Sequence, residues 1–240
     1  MNRHKLTDIG HRHLRIANPI GEARIERLID LLPLKKSHAV LDVGAGKCEF
    51  LLRLIRRYRV AAVGVEVRPD VAPRSRGRLR VIVQDAKRFE PARTFDVASC
   101  IGSTHALGGY LPTLKALNRW VKPGGYIVVG EGYWMKRPSR GYLKVLSGRR
   151  DEFVTHERNI ALAEAMGLIS LWCVTSSRDE WDEYEWSYSR SIEAYGLAHP
   201  EDPDTEPMLN HIRRWRRAQM KWGRDTLGFG LYLFRKYGSI

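Results

Sequence analysis

Apolar positions along the chain recur with two different periods, and the period switches repeatedly. "IGEARIERLIDLLPL" (20–34) spaces Ile25, Leu28, Ile29 and Leu32 on one helical face before Pro33 closes it. "HAVLDVGAG" (38–46) is a continuous apolar run that empties into a tight turn, the pattern of a buried strand. "KCEFLLRLIRRY" (47–58) returns to the helical period, with Phe50, Leu51, Leu54 and Ile55 on one side. Further strands are predicted at "VAAVGVE" (60–66), "LRVIVQD" (79–85) and "FDVASCIG" (95–102). A helix at 111–121, the turn "KPGG" (122–125) and a fifth strand, "YIVVGE" (126–131), follow.

The proline-punctuated stretch 69–79 leaves room for only an abbreviated helix after the second strand. A helix at 156–167, stopped by Gly167, leads to a strand at 168–176. Residues 179–222 form a polar, aromatic, mostly helical stretch containing the loop "AHPEDPDTEP" (198–207), and "FGLYLFRK" (229–236) is a last strand. Alternating strands and helices with unbroken apolar strands imply an α/β fold, a doubly wound sheet covered on both faces. Seven strands are expected, mostly parallel, with an antiparallel final hairpin and a helical insertion before the last strand. The expected organisation is an N-terminal arm or lid (1–19), a sheet domain (20–178 and 226–240) and a helical cap (179–225).

Composition narrows the class. The chain has 240 residues and 43% hydrophobic content, enough for a sizeable core. No run approaches the roughly 18 apolar residues of a membrane span. The first residues carry no apolar signal region, and three scattered cysteines form no CxxC pair, so a reducing cytoplasm is the expected compartment. No metal site is expected, since His11 and His13 are two apart and suit a solvated arm better than a helix-borne ligand pair. The net charge of +14 clusters in 53–59, 68–80 and 211–224, which favours encounters with polyanions or simply solvated helix faces. Trp215 and Trp222 interleave the last cluster, so a nucleic-acid surface stays an alternative.

Candidate chemistry gathers at the carboxyl ends of the strands, where ligands bind in such sheets. Gly44 and Gly46 occupy the first strand-to-helix turn, where missing side chains let backbone N–H groups approach a ligand beside a positive helix end. Glu66 ends the second strand, where a carboxylate can accept from both hydroxyls of a ribose. Asp85, followed by Ala86, ends the third, within reach of an exocyclic amine. Small residues in "CIGSTHALGG" (100–109) close the fourth.

Together Asp42, Gly44, Gly46, Glu66 and Asp85 resemble a class I S-adenosylmethionine-dependent methyltransferase, across roughly residues 14–236. Cys48 stands at the third glycine position, which argues against a dinucleotide site. "RIANP", "CIGSTHALGG", "GEGYW", "EWDEYEW" and "GFGLYLF" resemble more narrowly a little-characterised branch of bacterial small-molecule methyltransferases. The resemblance implies a Rossmann-like methyltransferase fold, S-adenosyl-L-methionine as cofactor and S-adenosyl-L-homocysteine as product. It implies Asp42 near the sulfonium or the methionine amino group, and Gly44, Ala45 and Gly46 against methionine and ribose. It implies Glu66 and Val67 at the ribose hydroxyls, Asp85 and Ala86 near adenine, and Cys100, Gly102 and Ser103 at the methionine end.

His105 is the candidate general base, because histidine titrates near neutrality and the position faces the reactive end. Glu131 is placed to orient an amine or hydroxyl. Tyr133 and Trp134 either wall an acceptor pocket or pack under the cap, and Trp181 and Tyr184, which share one helix face with Glu185, either line that pocket or bury against the core. Arg15 and Asn18 are candidate lid residues. The expected reaction is in-line transfer of a methyl group to a small-molecule acceptor. Alternatives are an RNA methyltransferase that uses the basic clusters, and a non-catalytic cofactor-binding protein.

Overall fold

The computed structural model describes residues 1–238. In chain order it contains α1 (Arg3–His11), α2 (Glu22–Asp30), β1 (Ala39–Val43), α3 (Glu49–Tyr58), β2 (Ala61–Glu66), β3 (Leu79–Val83) and β4 (Phe95–Ile101). Next come α4 (Tyr110–Trp120), β5 (Val121–Trp134), α5 (Arg140–Leu146), α6 (His156–Glu164) and β6 (Leu168–Thr175). The chain closes with α7 (Arg178–Ala198), α8 (Thr205–Lys221) and β7 (Leu227–Lys236). Among the described residues seven strands form one sheet in the order β3-β2-β1-β4-β5-β7-β6. The first five in that row run parallel, and β7 runs antiparallel to both β5 and β6.

The order reverses between β1 and β4, so the strand ends diverge there and open a crevice. All of β1 is buried, because helices cover both faces. On one side Ile25, Leu28 and Ile29 of α2 meet Leu51 and Leu54 of α3 over Val40 and Ala62. On the other, Leu114 and Leu117 of α4 and Ala163 of α6 pack on Leu41, Ile127 and Phe234. The alternating sides of each strand therefore feed two separate cores, which is why the strand sequences read as unbroken apolar runs.

Three expectations are corrected. Residues 67–78 hold no helix; Pro69 and Pro73 break the chain into turns, and Arg76 bridges back to Leu79. The "KPGG" segment does not precede β5 but interrupts it: pairing jumps from Phe95↔Val121 to Val97↔Tyr126, and Gly124 takes φ +75° in the irregularity. The N-terminal arm is only partly solvated: His13 is exposed, but the inner face of α1 is docked and His11 is half-buried. Asn2 caps α1 by accepting from His4 N and Lys5 N, and Leu6 and Ile9 bury against Ile192 of α7 and Met208 and Ile212 of α8. At Gly10 a Cβ would lie 2.2 Å from the Tyr188 ring, so α1 and α7 touch backbone to side chain. The inserted stretch is a pair of helices, α7 and α8, joined by 199–204.

Helix α3 is tied to α2 by one buried guanidinium. Arg53 donates to Glu22 (2.8 Å), Glu26 (2.6 Å) and Glu49 (2.8 Å). Removing the cation leaves Glu49 partly buried without its partner, while Glu22 and Glu26 are exposed enough to hydrate. Arg53→Met is expected to cost about 1–3 kcal/mol in urea unfolding, and unchanged stability would show that α2 is held by its apolar face alone.

Candidate functional site

The turn after β1 is built from backbone bonds rather than left open for a ligand. Gly44 N and Ala45 N both donate to Val65 O, at 2.9 and 3.0 Å. Gly46 N donates to Glu66 Oε2 at 2.9 Å, and Arg68 N donates to Oε1 at 3.1 Å. The expectation that these N–H groups face a ligand is thus corrected, because β2 consumes them. What the glycines supply is shape. Gly44 and Gly46 have φ of +69° and +51°, a region that L residues avoid. A Cβ on Gly44 would meet Ser103 Cβ at 2.3 Å, whereas one on Gly46 would point into open space.

Cys48 also adopts the left-handed conformation, at φ 58°. It fills the third glycine position by burying its sulfur where the bare Gly64 lets it approach β2. Burial pushes its thiol up to about 12, so it serves as packing.

Beside this turn lies a cavity of about 620 Å³ at the switch point. Asp42, Gly44, Ala45, Gly46, Glu66 and Val67 line one side of it, and Gly102, Ser103 and His105 line the far end. The remaining cofactor candidates are elsewhere. Asp85 caps the short turn Ala86–Arg88 by accepting from Lys87 N at 2.9 Å, with Ala86 buried behind it. Cys100 is fully buried, and that burial raises its thiol well above the usual range.

Asp42 is buried, and desolvation pushes its carboxyl up to about 7, with the Glu66 charge adding to the rise. The Ser99 hydroxyl lies 2.7 Å from Asp42 Oδ1 and 3.0 Å from Leu41 O. The Ser99 hydroxyl donates toward both oxygens, and its bond to Asp42 opposes the rise caused by burial.

The N-terminal segment, expected as an arm or lid, lines this cavity as a roof through His11, Arg15 and Asn18, and its fastenings left no sequence signal. Lys47 Nζ donates to the carbonyls of His11, Arg12 and Leu14 at 2.9, 3.1 and 2.8 Å, fastening the N-terminal segment to the turn. Arg68, just past β2, pairs with Asp8 of α1 at 2.5 Å. Burial lowers the pKa of His11, whose Nε2 lies 3.0 Å from the Tyr184 hydroxyl.

His105 also lines a second cavity of about 550 Å³ between the ends of β4 and β5 and the segment 147–154. Glu131 lines it. Burial pushes its carboxyl up to about 7, while bonds from Thr104 Oγ1 and Gly132 N (2.8 Å) oppose the rise. The structure does not bring the four aromatic candidates to either cavity. Tyr133 lies against His156, and Trp134 is buried against Phe153 with its indole N–H on Arg150 O at 2.8 Å. Trp181 packs on the core beneath α7, and Tyr184 faces His11. Trp215 donates to the half-buried Glu185 at 2.7 Å, and Trp222 packs beside Tyr142, so neither forms an open aromatic platform.

The methyltransferase domain family matches residues 12–190. The chain belongs to that family. Over 229 residues this methyltransferase is 23% identical to the uncharacterized protein YjhP of Escherichia coli, across 91% of this chain and 92% of that one. It is 24% identical over 235 residues to 27-O-demethylrifamycin SV methyltransferase of Amycolatopsis mediterranei, across 88% and 82% of the two chains. Its fold matches that of an S-adenosylmethionine-dependent methyltransferase of Geobacter sulfurreducens solved with S-adenosyl-L-homocysteine. That match has a TM-score of 0.86 and 23% identity, over 96% of this chain and 97% of that one. Among the described residues no helix is long and apolar enough to cross a membrane.

Three carboxyls, those of the buried Asp42 and Glu131 and of the half-buried Glu185, are each pushed to about 7 by desolvation. A carboxyl whose folded pKa exceeds its unfolded value imposes no penalty at low pH. It destabilises the fold as pH rises from the unfolded value, 3.8 or 4.5, to about 7. The lowered histidines His11, His156 and His211 act oppositely, below their ordinary 6.5. Asp42→Asn removes one carboxyl and is expected to shrink the fall in unfolding free energy between pH 5 and 8 by on the order of 2 kcal/mol. Urea midpoints at the two pH values check this, and identical slopes in both proteins would show Asp42 ionised throughout.

Proposed function

We propose that this methyltransferase transfers a methyl group from S-adenosylmethionine to a small-molecule acceptor. The observation that carries the reading is the Glu66 carboxylate at the edge of a cavity beside bare backbone at Gly44–Gly46. The residues fit the cofactor: Gly46 leaves room for its body and Glu66 offers acceptor oxygens to its ribose. Asp42, held near neutrality by burial, gains a cationic partner that favours its ionised form. When bound, the cofactor supplies an electrophilic methyl group on a positively charged sulfur. Transfer then depends on alignment and exclusion of water more than on strong acid–base assistance.

The chain's own residues divide this work. Glu66 and Asp42 bind, and Gly102 and Ser103 shape the methionine end. His105 lies where the two cavities meet, and it accepts the proton an acceptor must lose. Glu131 orients the acceptor. Helix α1 with residues 12–19 acts as a lid, held by Lys47 and Arg68, and α7 and α8 act as its cap. A roofed cavity favours a small acceptor over duplex RNA. In the last basic cluster Arg213 and Arg216 already pair with Glu193. The rifamycin methyltransferase among the relatives acts, by its name, on a small molecule.

Glu66→Ala is expected to weaken S-adenosylhomocysteine binding by about 1–3 kcal/mol, roughly 5- to 150-fold, in calorimetric titration. Unchanged affinity would remove Glu66 from the ribose role. His105→Ala is expected to retain that affinity while losing turnover, read as tritiated methyl transfer to pooled metabolites; full turnover would place deprotonation elsewhere.

A further inference from the structure

The second cavity has chemistry of its own. Two of its lining side chains are almost completely buried acceptors. Glu131 is 7% exposed and Asn159 is 1% exposed. Asn159 donates through Nδ2 to the Tyr232 hydroxyl at 3.2 Å and toward Gly132 O at 3.5 Å, and its Oδ1 has no hydrogen-bond partner. A buried, unpartnered amide oxygen is costly unless a donor completes it.

The charge around these groups is anionic. Asp151 and Glu152 line the same cavity, and Arg149 is occupied by Asp151. Asp151 and Arg149 offset one another, which leaves Glu131 and Glu152 as the unpaired charges of a cavity that favours cations, in a chain of net charge +14. Its apolar wall is supplied by Tyr110, Phe153 and Leu162. The Phe153 ring lies against the bare backbone of Gly132, where a Cβ would approach it to 2.8 Å.

We propose that this cavity is the acceptor site and that it takes a primary alkylammonium on an apolar or aromatic body. The inference rests on the methyltransferase reading above, because His105 joins this cavity to the cofactor crevice. The ammonium donates to Glu131 and to Asn159 Oδ1. One proton passes from the ammonium to His105, leaving a neutral amine. The nitrogen lone pair forms the new N–C bond to the methyl carbon as the C–S bond breaks, with its electron pair going to sulfur. The sulfonium becomes a thioether and the product carries the positive charge as a methylammonium, so atoms and charge balance.

The test uses the protein without turnover. Phenethylamine, phenethyl alcohol and 3-phenylpropionate are titrated into the full chain by calorimetry, beside S-adenosylhomocysteine. Phenethylamine is expected to bind at least tenfold more tightly than the alcohol, and the carboxylate not at all. An alkylammonium stays charged between pH 6 and 8, while burial holds the Glu131 carboxyl up at about 7, so phenethylamine affinity should rise severalfold over that range as the carboxyl ionises. E131Q should abolish that rise and the preference for amine over alcohol, with S-adenosylhomocysteine affinity retained. Equal binding of amine and alcohol, or a flat pH profile in the wild-type protein, would overturn the amine assignment even where S-adenosylhomocysteine binds. Loss of S-adenosylhomocysteine binding in the wild-type protein would instead overturn the cofactor reading.

Discussion

The carboxylate of Glu66 takes an N–H from the turn that follows the neighbouring strand, and the site depends on that cross-strand bond. It locks the Gly44–Gly46 loop in a left-handed path and leaves the cavity side of the loop free of side chains. It also fixes the carboxylate itself, which Arg68 N holds from the other oxygen. A group fixed in this way loses little entropy when it meets a ligand. The same β2 terminus anchors the roof, because Arg68 reaches Asp8 on α1. Binding groups and covering helix are thus set by one short stretch, Glu66–Arg68.

Much of this was legible in the sequence, and for a physical reason. The inner strands β1, β2, β4 and β5 lie between two helical layers, so their apolar runs are continuous and their ends are marked by Asp42, Glu66 and small residues, whereas the edge strand β3 is partly exposed. Helix α1 was not legible. Its nine residues carry only Leu6 and Ile9 as core apolar positions, and its helicity depends on docking against α7 and α8. The Lys47 tether was equally hidden, since three carbonyl acceptors from a distant segment leave no periodic trace. Asn159 did leave a signal. It is a polar residue on the buried face of α6, one turn before Ala163.

The aromatic residues left two readings open, pocket wall or packing. In "GEGYW" and "EWDEYEW" the residues Trp134, Trp181 and Tyr184 are drawn into packing. An aromatic at helical or strand spacing carries so much apolar area that burial in the core competes with any ligand. The basic character separates in the same way. Much of it is surface ion pairing, such as Arg213 and Arg216 with Glu193, while the second cavity is anionic. Net charge therefore describes the surface and says nothing of the pocket.

The proposed seat of the sulfonium nucleoside is the crevice at the switch point, beyond the ends of β1, β2 and β4. A crystal structure of the protein grown with S-adenosylhomocysteine tests it most directly. The account predicts the ribose hydroxyls on Glu66, the amino acid tail over Gly44–Gly46 and the sulfur toward His105. A nucleoside bound elsewhere, or a crevice closed by side chains at saturating ligand, would contradict it.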